Sequence, residues 1–517
     1  MSRKLLKSTL VVGVMTLISR ISGLVRDIVF ANILGSGLIA DAFFVAFRIP
    51  NFFRRIFGEG AFSQSFIPVY SEYRERRSAK EARAFLDHMA GMLGAILVGL
   101  TLLGIWAAPG FVMVIAPGYL DQPDKFAVTV DALRLTFPYM LFISLVAMAA
   151  GVLNTCGRVA APAVTPVLLN LCMIAAAFWL VPFTSNEAIA ISLGVLAAGV
   201  LQLAFQVPFL HRERMLPFPR PSLKNEGVRR VFRLMLPAIF GVSVAQINIL
   251  IGTLLASFLV TGSVSWLYYS DRVMEFPLGV FGIALATVML PSLSKLHANQ
   301  RADDFSALLD WSLRWVVLIS VPAMIGLILL AGPILTTLFL HGSTTPDDVR
   351  MMTLALAAYA VGLAAFVLVK VLAPGFFARQ DMKTPVKVAA ASMVVNIILS
   401  LVLVSPMKHY GLALATSLAA WVNALLLLHL LMQGEIFRPQ AGWSTFLSKV
   451  GAAAMAMAAL LYWGVGDADQ WMARGILDRA LALAMWVVAG ATVYFLVILV
   501  LGIRPSQLIL KRADFDE

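Results

Sequence analysis

The chain has 517 residues, is 60% hydrophobic and only 13% charged, and carries a formal net charge of +12. Soluble domains are about half apolar and a quarter charged, so a large soluble protein is excluded and an integral membrane protein is implied almost throughout. The basic excess fits cytoplasmic loops, which gather Lys and Arg, and no nucleic-acid partner is expected.

Crossing about 30 Å of hydrocarbon takes about 20 apolar residues. Such runs predict about fourteen helices, at 7–33, 39–70, 85–107, 126–155, 161–182, 187–210, 228–259, 263–295, 305–330, 349–377, 384–404, 410–432, 444–464 and 475–502. The start, MSRKLLKSTLVVGV, resembles a secretory signal, but no small-residue cleavage site follows it. It reads as a retained first helix. One set of alternate loops holds Arg74, Arg76, Arg77, Lys80, Arg83, Arg158, Arg212, Arg214, Arg220, Lys224, Arg229, Arg230, Lys295, Arg301, Arg379, Lys383 and Arg438. The other set has little beyond Lys125, Lys408 and Arg474. The basic set marks the cytoplasmic side, and an even helix count places both termini there. Cys156 and Cys172 lie in apolar runs and read as small core residues, and the six histidines show no ligand spacing. No disulfide framework and no metal site are expected.

An internal repeat sets the organisation. Ser65-Phe-Ile-Pro68-Val-Tyr-Ser71 resembles Val288-Met-Leu-Pro291-Ser-Leu-Ser294, with the prolines 223 residues apart. Pro162 and Pro385 keep the same offset, and Arg48-Ile-Pro-Asn-Phe52 matches Arg272-Val-Met-Glu-Phe276 at 224. The reading is an all-α polytopic membrane protein of two six-helix lobes around a central cavity, related by a parallel repeat. The lobes are 1–210 and 228–433, joined by a cytoplasmic linker at 211–227. Two further helices and a cytoplasmic tail fill 434–517.

Charges sit where hydrocarbon should be. The first predicted helix carries Arg20, Arg26 and Asp27, and the second Asp41, Arg48, Arg54, Arg55 and Glu59. The eighth carries Asp271, Arg272 and Glu275, and the tenth Lys370. Intramembrane ions are costly and normally face a protein interior or a watery cavity. Arg20 and Asp27, seven apart, share a helix face. Arg272 with Glu275, and Arg55 with Glu59, have pairing distance along a helix. Ion pairs that merely lock helices account for such groups where acids and bases balance. Here arginines outnumber nearby acids, and the repeat positions of Arg20 and Arg26, near Val244 and Leu250, are apolar. Arginine stays charged and offers a fork matched to phosphate oxygens, so the surplus points to an anion site, most naturally for a phosphate or pyrophosphate. Gly23, Gly35, Gly37, Pro50, Gly58 and Gly60 interrupt the first two helices, and Pro277, Gly279 and Gly282 the eighth. Such breaks suit either helix packing or a moving, cavity-lining backbone.

The chain has no G-x-x-x-x-G-K-[ST], H-E-x-x-H, G-x-S-x-G or paired C-x-x-C motif. Neither ATP hydrolysis by a phosphate loop nor covalent catalysis is expected. Transport is therefore expected rather than enzymatic catalysis, with no cofactor. The drive would be the membrane potential, an ion gradient of unidentified ion, or consumption of product.

The stretches SRISGLVRD, ADAFFVAFRIPNFFRRIFGEGAFSQSFIPVY, GSVSWLYYSDRVMEFPLGVFGIAL and KVLAPGFFARQDMKTPVK resemble the MurJ (MviN) family. Its members are lipid II flippases of bacterial cell-wall synthesis, within the multidrug/oligosaccharidyl-lipid/polysaccharide exporter superfamily. The resemblance spans essentially the whole chain. It implies two lobes around a cationic cavity and a groove on helices 13 and 14 for the lipid tail. It implies substrate binding by Arg20, Arg26, Arg54 and Arg272 with Asp41 and Glu275. From their place among these arginines, Asp27, Glu59 and Asp271 are expected to gate the lobes or balance charge. It further implies lipid II and membrane lipids as partners, with cell-wall synthases beside a monomer in the inner membrane. Some members hold sodium in the second lobe, but no motif here places its ligands. The rival readings are a superfamily drug/cation antiporter, an exporter of another polyprenyl-linked oligosaccharide, and a membrane enzyme acting on a prenyl pyrophosphate. An antiporter would want an acidic or apolar cavity, and the enzyme an acid cluster or catalytic histidine.

Overall fold

The computed structural model describes residues 3–55, 60–279 and 283–503, and among them regular structure is helical, without strands. The helices are α1 (Arg3–Leu34), α2 (Leu38–Arg54), α3 (Ala61–Arg76), α4 (Ala79–Trp106), α5 (Ala108–Ile115), α6 (Pro123–Thr136) and α7 (Tyr139–Thr155). They continue with α8 (Ala160–Trp179), α9 (Glu187–Arg212), α10 (Glu226–Ser257), α11 (Ser263–Pro277), α12 (Ile283–Ala298), α13 (Ala302–Leu329) and α14 (Ala331–Phe339). The last are α15 (Pro346–Ala360), α16 (Leu363–Phe377), α17 (Lys383–Gln433), α18 (Trp443–Gly464), α19 (Ala468–Ala473) and α20 (Ile476–Val500).

Two runs predicted as single helices are broken: 126–155 divides into α6 and α7, and 349–377 into α15 and α16. The junctions between α2 and α3 and between α11 and α12, within the runs 39–70 and 263–295, lie outside the described residues. Proline and glycine supply the local cause: Pro138 precedes α7 and Gly362 precedes α16. A proline removes a backbone donor and crowds the preceding turn. The breaks recur in the repeat. At an offset of 223, α1 falls on α10 and α4 on α13, while α5 and α6 fall on the starts of α14 and α15.

One segment is longer than expected. α17 has 51 residues, which as a straight rod would run about 76 Å, far beyond the hydrocarbon thickness. Its helical backbone fails at Lys408, with φ 51° and ψ −135°. A Cβ on Gly411 would lie 2.4 Å from the Leu403 carbonyl oxygen, so the chain folds back tightly here and only glycine fits. α17 is thus the two spans predicted at 384–404 and 410–432. By length and composition, nine segments, α17 counted once, suit a membrane crossing among the described residues. The other four predicted runs are occupied by α1, α10 and the pairs α2–α3 and α11–α12.

Packing divides the chain into two compact units, Met1–Ser265 and Trp266–Glu517. In the first, α1 packs on α8, α8 and α7 on α9, and α2 on α6. α10 packs on α3 and belongs to this unit, so the packing division falls one helix later than the repeat boundary at 211–227. The segment after α9 is strapped to α4. Asp87 accepts from Phe218 N–H at its carboxylate (2.7 Å) and from Arg220 N–H at its carbonyl (3.0 Å), and His88 Nδ1 meets the Arg220 carbonyl at 3.0 Å. Cys156 and Cys172 are free and half-buried.

In the second unit α15 and α16 pack on α17, α13 on α16 and α18, and α18 on α20. Phe446, Val450, Met457, Leu461, Trp471 and Tyr494 form the core beneath the last helices. Acyl chains are as apolar as leucine, so apolar burial alone gives membrane helices little reason to associate, whereas polar contacts add about 0.6–2 kcal/mol each. Two polar anchors serve here. Arg479 of α20 is 7% exposed and donates to the backbone carbonyls of Trp471 (3.1 Å), Met472 (2.6 Å), Leu340 (3.3 Å) and Thr336 (3.5 Å). These lie at the ends of α19 and α14, where orphaned carbonyls favour a cation. Asp310 of α13 accepts from Arg314 Nε (2.7 Å), Gln440 N–H (3.0 Å) and Trp443 Nε1 (2.6 Å), fixing the start of α18.

Lys408 holds a backbone geometry that costs a side-chain-bearing residue about 1–3 kcal/mol. Lys408→Gly is expected to stabilise the protein by about 1 kcal/mol. A rise in unfolding temperature in detergent checks this, and a fall would mean that the side chain outweighs the strain.

Candidate functional site

The charges of α1 are paired. Arg26 and Asp27 are 4% and 2% exposed. Arg26 donates to Asp27 Oδ1 through Nε (3.0 Å) and Nη2 (2.7 Å), and to Asn170 Oδ1 of α8 through Nη1 (3.0 Å). The guanidinium lies 5.7 Å from the centre of the Phe30 ring. Asn170 donates onward to Ser22 Oγ (2.9 Å) and the Ser19 carbonyl (3.2 Å). Its amide nitrogen passes over Gly23, where a Cβ would stand 3.6 Å away. Arg20 is half-buried on the same helix.

On α2, Arg54 is half-buried and donates to Asn51 Oδ1 at 3.0 Å. Arg48 reaches the Thr253 hydroxyl of α10, and exposed Arg55 meets Gln246 at 3.4 Å. Glu59 lies outside the described residues.

Asp41 organises a second buried cluster. It sits in the first turn of α2 and is 1% exposed, as is Lys125. Oδ2 accepts from Lys125 Nζ (2.8 Å) and Gly262 N–H (2.8 Å), and Oδ1 from Ser265 N–H (2.9 Å) and Ser265 Oγ (2.6 Å). The carboxylate therefore caps the start of α11, where free N–H groups and the helix dipole favour an anion. Lys125 Nζ also lies 4.2 Å from the Tyr119 ring centre and 3.4 Å from Thr261 Oγ1.

In the second unit Arg272 donates to Glu275 Oε2 at 3.0 Å, one helical turn on, and its guanidinium lies 5.2 Å from the Tyr268 ring centre. Both side chains are about two-fifths exposed, at 37% and 43%. Asp271 is half-buried and Lys370 exposed. Outside the spans, hydrogen bonds from Thr384, then Lys383 N–H, hold the Asp381 carboxyl below its ordinary range. Among the described residues no three His, Cys, Asp or Glu side chains gather as metal ligands.

The structure thus joins Arg26 with Asp27, and Arg272 with Glu275, and gives Asp41 a lysine partner. Sequence reasoning treated Lys125 as one of the few loop charges on the weakly basic side, and it passed over Asn170, Asp310 and Arg479. Lys125 had one legible signal: it is one of only three cations, with Lys408 and Arg474, in a loop set that is otherwise poor in them. Asn170, a single amide in an apolar run, carried none.

The fold defines a helical membrane transporter. An inward-facing multidrug resistance MATE family transporter of the MOP superfamily matches with TM-score 0.65 at 14% identity, covering 81% of this chain and 94% of that one. That likeness concerns the fold alone. A lipid II flippase MurJ in an inward closed conformation matches with TM-score 0.80 at 26% identity, covering 94% and 98%. The family model described as "Lipid II flippase MurJ" matches residues 30–482. A probable lipid II flippase MurJ of Vibrio cholerae is 43% identical over 98% of both chains. The lipid II flippase MurJ of Burkholderia cenocepacia is 40% identical over 97% of this chain and 98% of that protein. The chain belongs to the MurJ family.

Removing one partner of a buried ion pair strands the other at a cost of about 3–5 kcal/mol. Asp41→Ala, which strands Lys125, is expected to lower the unfolding temperature. Adding Lys125→Met should recover most of the loss, and thermal unfolding of the three proteins checks both.

Proposed function

We propose that the protein is a lipid II flippase of the bacterial inner membrane, with both termini cytoplasmic. It moves undecaprenyl-pyrophosphoryl-MurNAc(pentapeptide)-GlcNAc from the cytoplasmic to the periplasmic leaflet by alternating access, for peptidoglycan synthesis. The observation that carries this reading is the family match over residues 30–482, together with relatives 40–43% identical over nearly the whole chain, which takes in Arg20, Arg26 and Asp27 as well.

Physical chemistry gives the charges their roles. A disaccharide-pentapeptide head with a pyrophosphate cannot cross hydrocarbon unaided, because polar and charged groups lose their solvation there. A hydrated path lined by arginines replaces that solvation. Arg20, Arg26, Arg54 and Arg272 bind the pyrophosphate, each with a fork suited to phosphate oxygens. Asp27 and Glu275 hold the forks of Arg26 and Arg272 in this conformation. Binding of pyrophosphate is then an exchange of one anion for another, and no buried guanidinium is left bare. Asp41 clamps the start of α11 and acts in gating, while Glu59 and Asp271 balance charge. The prenyl tail stays apolar along α18 and α20, whose outward faces include Met455, Leu481, Val488 and Leu499.

The chain works as a transporter rather than an enzyme and as a monomer, beside cell-wall synthases. Its drive is the membrane potential, an ion gradient or consumption of product. Charge crossing the field is worth about 2.3 kcal/mol per elementary charge per 100 mV, enough to bias a two-state carrier.

In cells depleted of the protein, lipid II open to a non-permeant cleaving agent should fall while total lipid II holds or rises. An unchanged outward pool, with no second flippase present, would refute the reading. The site is tested separately. Arg26→Gln with Asp27→Asn removes the buried pair without stranding a charge. It should fold at wild-type level and lose transport, whereas retained transport would make the pair purely structural.

A further inference from the structure

We infer that Lys125 is a positioning residue that keeps the Asp41 clamp on α11 releasable, by remaining as the carboxylate's partner when the other donors leave. The inference rests on the alternating-access reading for its consequence, but not for its test.

The donors to Asp41 fall into two groups. Gly262 N–H, Ser265 N–H and Ser265 Oγ all come from the turn that starts α11. Lys125 Nζ comes from α6, which packs directly on α2, the helix that bears Asp41. The next residue along α11, Trp266, is moored elsewhere. Its Nε1 donates to Asp348 of α15 at 2.8 Å, and its ring lies 5.0 Å from His409 of α17. A movement that carries α11 along with α15 and α17 withdraws the first group of donors and leaves the second.

What remains decides whether such a movement can occur. A carboxylate 1% exposed and stripped of all its donors carries a desolvation cost of several kcal/mol. With Lys125 in place, the bare state of Asp41 is a buried ion pair 2.8 Å across, with the lysine further held over the Tyr119 ring. Lifting α11 then breaks only bonds to uncharged donors, which can be remade. Without Lys125 the carboxylate depends wholly on the 262–265 turn, and the clamp tightens.

This fixes a sign that a merely structural role does not share. If Lys125 only added one more bond to the clamp, its removal would loosen the turn. The experiment is hydrogen–deuterium exchange of the 258–265 segment in the full chain, in lipid nanodiscs without lipid II, with thermal unfolding followed in parallel. Lys125→Met is expected to slow exchange about tenfold, the scale of one charge-assisted hydrogen bond. Lys125→Arg, which keeps the charge, should stay within about twofold of wild type. Asp41→Asn with Lys125→Met should exchange faster than wild type, because no buried charge then holds the turn. Lys125→Gln serves if Lys125→Met fails to fold, and it too should slow exchange. Equal or faster exchange in the folded lysine variant overturns the inference. So does exchange matching Asp41→Asn alone, which would mean that the carboxylate has simply taken a proton. Failure of the lipid II reading would appear in the sidedness of lipid II and leave these rates untouched.

Discussion

A charge within a bilayer must find its partner inside the protein, because neither water nor lipid supplies one. Much of the architecture follows from that constraint. Arg26 is met by Asp27 and Asn170, Asp41 by Lys125 and the start of α11, and Asp310 by Arg314 and Trp443. Asn170 ties α1 to α8, Lys125 ties α2 to α6, and Trp443 ties α13 to α18, joining helices that apolar packing alone would hold weakly. Arg479 meets the same demand without an acid, by taking up the carbonyls that two helix ends leave over. Asp27 is the anion that holds the Arg26 guanidinium.

The fold was legible because its signal is long-range and redundant. Twenty-residue apolar runs and their loop charges place the crossings, and α18 and α20 fall within a residue or two of the runs 444–464 and 475–502. The 223-residue offset between prolines reappears as coincident helix starts in the two repeats. Helix continuity was less legible. Hydropathy sums over a window and does not register a break a few residues long, so α6–α7 and α15–α16 read as single runs. At Lys408 the reverse holds: the predicted gap is a turn so tight that helical bonding resumes almost at once.

The site divides along the same line. Arginines stand out in an apolar run, and so Arg20, Arg26, Arg54 and Arg272 could be proposed from sequence. Their partners could not. Helical spacing suggested that Arg20 and Asp27 share a face, yet Arg26 reaches its own neighbour because its long side chain folds back. Lys125 reads as a loop charge because sequence places it outside the apolar runs, and only packing encloses it. Asn170 is invisible to charge counting, although it is the residue that ties Arg26 to a second helix.

The connection between the two repeats has a bearing on how such a chain can be built. A Cβ on Gly91 would stand 2.4 Å from the backbone of Arg220 and Pro221, while Asp87 and His88 grip the same stretch. The linker is a fitted brace with no spare chain in it. Its length and course are as constrained as those of a helix, so insertions across residues 218–221 would have to bulge outward or tear it from α4. A junction of that kind fixes where α10 starts relative to α4 by backbone fit as well as by covalent continuity.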